Sequence, residues 1–297
     1  MKTVLSHCRQ PEKPSWIRVR LPNGPAYEAV RDMKACKHLH TVCESALCPN
    51  INECWQMGHA TFMILGDGCT RNCQFCAVGS CPKPLDPEEP FRVADAVRDM
   101  GLSHAVITSV TRDDLPDGGA TLFAETIAAI REICLNTSVE VLIPDFQGRR
   151  PALDAVIGAK PDILGHNVET ISRLYPRVRP QADYSQSLAL LKTIKTADPG
   201  IITKSGVMVG LGETAAELME TIFQIYEAGV DILTIGQYLR PGPAHLPVHR
   251  YYCPEEFESL KIHAQSLGFA WVEAGPLVRS SYRAERQARA LCGRRQD

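Results

Sequence analysis

Residues 60–81 read ATFMILGDGCTRNCQFCAVGSC, in which an apolar run leads directly into a glycine-bounded loop with four cysteines. The run at 60–66 has the length and composition of a buried β-strand. Strand and helix patterns alternate along the chain beyond it. The cysteine loop therefore follows the first strand of a repeated strand–helix series, and this placement decides both the fold and where a site is expected.

Apolar strands alternate with amphipathic helices over most of the chain. A capping box, in which Thr214 precedes Glu217 by three residues, predicts the start of the helix at 215–229. Six strand–helix units predict an α/β fold with a parallel sheet covered by helices, either barrel-like or doubly wound. Loops at the carboxyl ends of the strands are expected to form the walls of a site. The predicted strands are 60–66, 104–110, 138–144, 162–169, 200–212 and 231–239.

Composition excludes several classes of protein. A net charge of −2 over 297 residues gives no reason to expect bulk binding to nucleic acid or to an anionic membrane. No apolar run reaches the length of about 18 residues that a transmembrane helix needs. The first 16 residues lack the apolar core and cleavage site of a secretory signal. We therefore expect a cytoplasmic protein with no nucleic-acid and no membrane partner.

Twelve cysteines are unexpected in such a protein. Stable disulfides are rare in a reducing cytosol, where dense cysteine clusters more often bind metal or perform redox chemistry. Eight of the twelve lie between Cys36 and Cys81, whereas disulfides would be expected to staple the whole chain. The distribution therefore indicates local sites.

The first of these sites has the spacing C-x3-C-x2-C, formed by Cys69, Cys73 and Cys76. Three closely spaced thiolates can bind three irons of a [4Fe–4S] cluster and leave the fourth iron open for a reactant. Zinc is the alternative, but structural zinc usually takes paired C-x2-C motifs, and only Cys73 and Cys76 have that spacing. A redox pair would leave Cys69 unexplained. We interpret Cys81, just beyond the three, as an unligated thiol.

The second site has the spacing C-x4-C-x5-C within CESALCPNINEC, formed by Cys43, Cys48 and Cys54. The segment is too loop-like to need these cysteines for packing. It lacks a fourth cysteine at a suitable distance, so any fourth ligand must come from elsewhere in the chain.

These motifs resemble those of a known family. The first triad, with the aromatic Phe75 before its last cysteine, resembles the signature of radical S-adenosylmethionine (SAM) enzymes. The second triad, with GDGCTRNCQFCAV, TSVTRDDLPDGGA, IGQYLRPGPAHLPV and RSSY in order, resembles the lipoyl synthase family from Trp16 to Arg289. The resemblance implies a partial (β/α)6 barrel of radical SAM type at 60–270. It also implies an N-terminal extension at 1–59 and a C-terminal extension at 271–297, which carry an auxiliary cluster.

The resemblance also implies a reaction, in which a sulfurtransferase inserts sulfur at C6 and C8 of an octanoyl chain held on a lysine of a lipoyl carrier domain. Its cofactors would be two [4Fe–4S] clusters and SAM. The first triad would hold the cluster that binds SAM, and the second would hold the auxiliary cluster that donates sulfur. The fourth ligand of the auxiliary cluster would be a serine of RSSY, Ser280 or Ser281, and we favour Ser281.

Contacts to SAM are predicted for Phe75 of the cysteine motif and for residues near the ends of strands, of which the polar ones could instead form ordinary loop hydrogen bonds. Lys204 could face the SAM carboxylate, and Gly210 could allow close backbone approach on the adenine side. The predicted set is Phe75, Ser109, Asn167, Glu169, Lys204 and Gly210.

The family's partners would be octanoylated carrier domains of the glycine cleavage H protein or of the E2 type of 2-oxoacid dehydrogenases. An electron donor such as ferredoxin or flavodoxin and iron–sulfur assembly proteins would complete the set. Two other classes stay open on the residues alone, namely another radical SAM sulfur-inserting or maturation enzyme and a zinc-stabilised binding module.

Overall fold

The computed structural model describes residues 11–19 and 23–292. Its core element is an eight-stranded sheet. The strands neighbour one another in the order in which they occur in the chain. The first pairs antiparallel with the second, and every later pair is parallel. The strands are β1 (His40–Thr41), β2 (Thr61–Ile64), β3 (His104–Ser109), β4 (Ser138–Leu142), β5 (Ile163–Gly165), β6 (Ile202–Val209), β7 (Ile232–Gln237) and β8 (Trp271–Gly275).

Helices connect the parallel strands, and two short 3₁₀ turns lie at Phe146–Gly148 and Ser172–Leu174. No helix in the described part of the chain is long and apolar enough to cross a membrane. The helices are α1 (Pro25–Cys36), α2 (Val42–Ser45), α3 (Ile51–Gln56), α4 (Glu89–Asp99), α5 (Ala120–Ile133), α6 (Arg150–Gly158), α7 (Tyr175–Val178), α8 (Tyr184–Ala197), α9 (Ala215–Glu227), α10 (Pro254–Leu267) and α11 (Ala284–Cys292).

The predicted parallel sheet is confirmed, and the strand order decides between the two arrangements left open. A doubly wound sheet reverses its strand order at a switch point. Here the order runs from β1 to β8 without reversal, as in a partial barrel. Every residue of β2 and β7 is buried, as expected for parallel strands that are covered on both faces.

Two strands were not predicted, and both lie at the edges of the sheet. The strand β1 has only two residues, too few for a recognisable pattern, and pairs with Phe62 and Met63. The strand β8 pairs in parallel with β7 and ends at Gly275, shortly before the RSSY motif begins at Arg279. Both chain extensions are thereby attached to the sheet, whereas the division of the chain after residues 59 and 270 stays a prediction.

The predicted capping box starts α9 as expected. The Glu217 backbone N–H donates to the Thr214 hydroxyl at 3.3 Å, and the Glu217 carboxylate accepts from the Thr214 backbone N–H at 2.9 Å. This reciprocal pair satisfies two N–H groups that a helix start otherwise leaves open. The turn between β6 and α9 is therefore fixed at the end of the strand where a site is expected.

Candidate active site

The cysteine loop (residues 65–81) leaves the carboxyl end of β2 and crosses over itself. The Cys69 backbone N–H donates to the Gly79 carbonyl at 2.7 Å, and Gly68 pairs with Gly79 as a parallel bridge. A Cβ atom on Gly68 would lie 2.0 Å from the Cys81 carbonyl oxygen, so no larger residue fits at this crossing. The glycine therefore allows the loop to close while the side chain of Cys81 stays exposed.

Three thiols interact electrostatically within this loop, those of Cys69, Cys73 and Cys76. Burial raises the pKa of the Cys73 thiol and raises that of Cys76 to about 12. Backbone N–H groups of Arg71 and Thr111 point at the Cys69 sulfur, each at 3.4 Å. Buried thiols ionise when a metal supplies compensating positive charge, and N–H donors stabilise the sulfur of such a ligand. The donor set therefore fits an iron–sulfur cluster.

A buried arginine ties the loop to the neighbouring strands. Arg71 donates to Asp145 at 2.6 and 2.8 Å and to Asp113 at 2.7 and 3.0 Å. Burial alone would raise the pKa of Asp145, but the Arg71 guanidinium lowers it to about 2. Asp145 is therefore charged, and Arg71 clamps the cysteine loop to the loops after β3 and β4. Nothing in the spacing of the motifs had indicated this clamp.

The opposite side of the loop is held by the segment after β7. The Leu246 backbone N–H donates to the Gln74 carbonyl at 3.1 Å, and a ring nitrogen of His245 lies 3.0 Å from the Cys76 carbonyl. These contacts give a structural reason for the IGQYLRPGPAHLPV phrase, because its last residues fix the backbone beside the third cysteine.

Phe75 lies between two of the cysteines and is partly buried. Its ring packs against an apolar cluster that spans the ends of several strands. The predicted cofactor-binding residue therefore also anchors the loop by burial, and it limits access of water on that side. The cluster consists of Ile171, Leu174, Val178, Leu211, Tyr238 and Val248.

Three of the predicted SAM contacts lie at the carboxyl ends of strands, and two of them meet. The Glu169 carboxylate interacts electrostatically with Arg179 and with Cys73, and it lies close to the Asn167 side chain. Burial raises the pKa of Glu169, although Arg179 acts in the opposite direction. The hydroxyl of Ser109 and the side-chain oxygen of Asn167 are buried without a hydrogen-bond partner. Such orphaned polar atoms are costly unless a ligand satisfies them, so the position fits a polar cofactor such as SAM.

The other two predicted contacts are engaged elsewhere. The Lys204 ammonium donates to Glu140 at 2.7 Å, and both side chains are almost fully buried. Gly210 has φ +96°, and its backbone N–H donates to the carboxylate of Glu213 at 2.6 Å. A Cβ atom on Gly210 would lie 2.1 Å from the side-chain nitrogen of Gln237. The structure therefore gives both residues protein partners, and their contact with SAM stays a prediction.

The second triad surrounds a cavity next to the edge of the sheet. Cys43 lies on α2, Cys54 on α3 and Cys48 on the turn between them. Burial raises the pKa of Cys43 to about 11 and that of Cys54 to about 12, and it also raises that of Cys48. All three cysteines line this cavity. This cavity, called the triad cavity below, has the same chemistry of buried thiols as the first loop.

The structure separates the two serines of RSSY. Ser281 lines the triad cavity with Cys43, Cys48 and Cys54. The hydroxyl of Ser280 instead accepts a hydrogen bond from the Asn167 side-chain amide at 2.6 Å. Of the two serines, Ser281 is therefore the one that lies at the cavity of the second triad, and its role as a ligand stays a prediction.

Arg279 is a further residue that motif spacing did not single out. Its guanidinium interacts electrostatically with Cys48 on one side and with Glu169 on the other. Burial lowers its pKa, and these two groups oppose that shift. Arg279 therefore lies between the two candidate cofactor sites. Its position next to Ser280 in the same motif was the available signal.

Among the described residues, no group of three or more His, Cys, Asp or Glu side chains is arranged to hold a single metal ion. In a four-iron cluster each cysteine binds a different iron, so the sulfurs need not converge on one point. The finding for a single metal ion therefore does not bear on the two triads, and their role as cluster ligands stays a prediction.

The comparisons with known proteins agree on the fold. The model of the radical SAM superfamily matches residues 63–225. The solved structure of Streptococcus suis SuiB bound to S-adenosylmethionine superposes with a TM-score of 0.57 at 12% identity, over 72% of this chain and 50% of that one. At such low identity this likeness concerns the fold alone.

Curated relatives are much more similar in sequence. The lipoyl synthase of Rubrobacter xylanophilus is 58% identical over 276 residues, which cover 93% of this chain and 86% of that protein. The lipoyl synthase of Thermus thermophilus is 56% identical over 277 residues, covering 92% of this chain and 86% of that protein. The chain belongs to the lipoyl synthase family of the radical SAM superfamily.

Proposed function

We propose that this chain inserts two sulfur atoms, at C6 and C8, into an octanoyl chain carried on a lysine of a lipoyl carrier domain. The enzyme is a sulfurtransferase that uses SAM and two [4Fe–4S] clusters. In this proposal the first triad holds the SAM cluster, and the second triad with Ser281 holds the auxiliary cluster, which donates the sulfur. The division into an extension at 1–59, a barrel at 60–270 and a second extension at 271–297 belongs to the same proposal.

The observation that carries the proposal is the difference between the two ligand sets. The triad cavity is lined by three cysteines and by Ser281, which the chain brings from its far end. The cysteine loop offers three thiols, and the side chain of Cys81 is exposed beyond them. An incomplete ligand set leaves a position for a reactant, by the same logic that separates catalytic from structural zinc sites. Serine oxygen is a harder ligand than thiolate, which suits a cluster that must open to release sulfur.

SAM bound at a [4Fe–4S] cluster supplies one-electron chemistry that removes hydrogen from an unactivated alkyl carbon, which acid–base side chains cannot do. The chain's own residues orient and shield that chemistry. Arg71 fixes the cysteine loop through the buried Asp145 and the partly buried Asp113, and Phe75 closes the loop against an apolar cluster. Ser109, Asn167 and Glu169 present polar atoms at the strand ends, two of which have no protein partner.

The partners follow from this reaction. The substrates proposed are octanoylated carrier domains, of the glycine cleavage H protein or of the E2 type of 2-oxoacid dehydrogenases. The SAM cluster requires a one-electron donor, for which we propose ferredoxin or flavodoxin. Loss of sulfur from the auxiliary cluster requires iron–sulfur assembly proteins to rebuild it. We propose that the enzyme works in the cytoplasm, where these partners occur.

The decisive experiment is an anaerobic turnover with SAM, a reductant and an octanoyl-lysyl peptide, followed by mass spectrometry. The expected product is the peptide with two added sulfur atoms in place of two hydrogens. Iron, sulfide and zinc analysis of the same protein provides the control, and two clusters correspond to about eight irons and eight sulfides per chain. Stoichiometric zinc without sulfide, or an unchanged peptide in the presence of both clusters, would overturn the proposal.

A further inference from the structure

The connecting segment (residues 277–283) follows β8 and is attached to both candidate cofactor sites. On the side of the triad cavity, the Asn50 side-chain amide donates to the Leu277 carbonyl at 2.6 Å, and the Tyr282 hydroxyl donates to Glu53 at 3.1 Å. Asn50 lies between two cysteines of the second triad and is buried. The segment is therefore clamped to the residues that build the triad cavity.

On the other side, the segment contacts the strand ends where SAM is expected. The hydroxyl of Ser280 accepts from the Asn167 side-chain amide at 2.6 Å. A Cβ atom on Gly236, at the end of β7, would lie 2.2 Å from the Val278 carbonyl oxygen. Because the backbone of the segment presses directly on the sheet at this point, it has little room to shift independently of the strand ends.

Consecutive residues of this segment thus face different sites. Arg279 lies between Cys48 and Glu169, Ser280 bonds Asn167, and Ser281 lines the triad cavity. Adjacent Cα atoms are about 3.8 Å apart, so the place of Ser280 limits where the hydroxyl of Ser281 can reach. The hydrogen bond of Ser280 therefore helps to set the position of the predicted cluster ligand.

Asn167 is also unsatisfied at its other end. Its side-chain oxygen is buried without a partner, whereas its amide nitrogen donates to Ser280 at 2.6 Å. A polar ligand that bonds this oxygen would fix the orientation of the amide group, because oxygen and nitrogen belong to one rigid plane. Binding of SAM would then change the hydrogen bond that Asn167 donates to Ser280.

We propose that Ser280 is a positioning residue that couples SAM binding to the placement of Ser281 at the auxiliary cluster through its hydrogen bond with Asn167. A coupling of this kind is reciprocal, so a change at the Ser281 end should alter the affinity for SAM. The inference rests on the proposed function for the identity of the two clusters.

The test is a double-mutant cycle read as the Kd for SAM, measured by equilibrium binding to anaerobically reconstituted protein. The four proteins are the wild type, Ser281→Ala, Ser280→Ala and the double variant. We expect Ser281→Ala to raise Kd by about fivefold, within the usual range of coupling between sites. In the Ser280→Ala background, the further change Ser281→Ala should alter Kd by less than about twofold, because the connection is already lost. Ser280→Thr, which keeps a hydroxyl, should retain most of the coupling.

Two results would overturn the inference, namely no change of Kd in Ser281→Ala, or an undiminished effect of Ser281→Ala when Ser280 is alanine. If Ser280→Ala fails to retain the auxiliary cluster, it is compared with Cys48→Ala, which loses the same cluster but keeps Ser280. Equal Kd values in these two proteins would refute the coupling, and a weaker affinity in Ser280→Ala would support it. Iron content distinguishes failure of this inference from failure of the proposed function. Variants that hold about eight irons and show no coupling refute this inference alone. Absence of cluster iron refutes the proposed function.

Discussion

The guanidinium of Arg71 lies 2.6 Å from the carboxylate of Asp145, and both side chains are almost completely buried beside the first cysteine triad. Asp145 belongs to the loop after β4, whereas Arg71 lies between two of the triad cysteines. The pair therefore links the cysteine loop to a strand that is two positions away in the sheet. It is a positioning contact, since each charged group already bonds to the other.

Asp145→Asn is expected to destabilise the fold. Removal of one partner from a buried ion pair costs about 3 to 5 kcal/mol, and because Arg71 keeps Asp113, we expect about 3 kcal/mol. The measurement is urea unfolding of the cluster-free chain. Asp154→Asn is the matched control, because Asp154 pairs with Arg150 on the exposed face of α6. The control should lose no more than about 0.5 kcal/mol, and an equally small loss in Asp145→Asn would contradict the role of the pair.

The same pair predicts a dependence of stability on pH. The Asp145 carboxyl has its pKa lowered from 3.8 to about 2 in the folded chain, by Arg71 against the opposing effect of burial. A lowered pKa contributes stability above the unfolded value, and the contribution is lost as the pH falls through the folded value. We therefore expect wild type to exceed Asp145→Asn by a margin that shrinks by about 2 kcal/mol between about pH 5 and pH 2. Urea unfolding across this range measures it, and a constant margin would contradict the assignment.

Gly68→Ala is expected to prevent closure of the cysteine loop. An added Cβ would lie 2.0 Å from the backbone oxygen of Cys81, which cannot move aside as a flexible side chain would. Gly79→Ala is the matched control in the same bridge, since a Cβ there meets its nearest atom, the Asp67 carbonyl oxygen, at 3.4 Å. Iron and sulfide analysis after reconstitution should show loss of about four irons in Gly68→Ala and none in the control. Full cluster content in both would show that the loop tolerates the bulk.

The sequence was sufficient for the strands that form the body of the sheet, because each is an apolar run flanked by a helix pattern. The sequence could not predict β1, because two residues carry no periodicity. Their pairing with β2 depends on tertiary contacts. The order of strands was also open, since alternation alone fits both a barrel and a doubly wound sheet. The absence of a reversal in the observed order resolved that choice.

The two triads could be recognised as candidate sites because the cysteines of each lie within a few residues of one another. Ser281 could not be separated from Ser280 by any rule of spacing, since its neighbours in space lie at the other end of the chain. Glu140 and Lys204 show a similar limit. Each is a charged residue within an apolar strand, which indicates a buried partner, but their pairing requires the geometry of β4 and β6.

Cysteine variants should separate the two clusters. Cys76→Ala is expected to lose about four irons and all SAM cleavage, whereas Cys48→Ala should lose about four irons yet still form 5′-deoxyadenosine without sulfur insertion. Cys81→Ala is the control, because its thiol is exposed beyond the loop crossing. It should retain about eight irons and full turnover. Lipoyl product from Cys48→Ala, or iron loss in Cys81→Ala, would contradict the ligand assignment.

Lys204 has two possible roles, a SAM contact and a partner of Glu140, and a pair of variants distinguishes them. Lys204→Met alone leaves Glu140 buried with only His104 beside it, at 3.2 Å, and should cost about 3 kcal/mol of unfolding free energy. The double variant Glu140→Leu, Lys204→Met removes both charges and should recover most of that loss, since apolar replacement of a buried pair is often neutral. Because Lys204 already donates to Glu140, we expect the double variant to bind SAM with a Kd within about twofold of wild type, a difference of only about 0.4 kcal/mol. Equilibrium binding of SAM to the reconstituted double variant measures this, and a tenfold or larger rise in Kd, about 1.4 kcal/mol, would instead assign Lys204 to the cofactor.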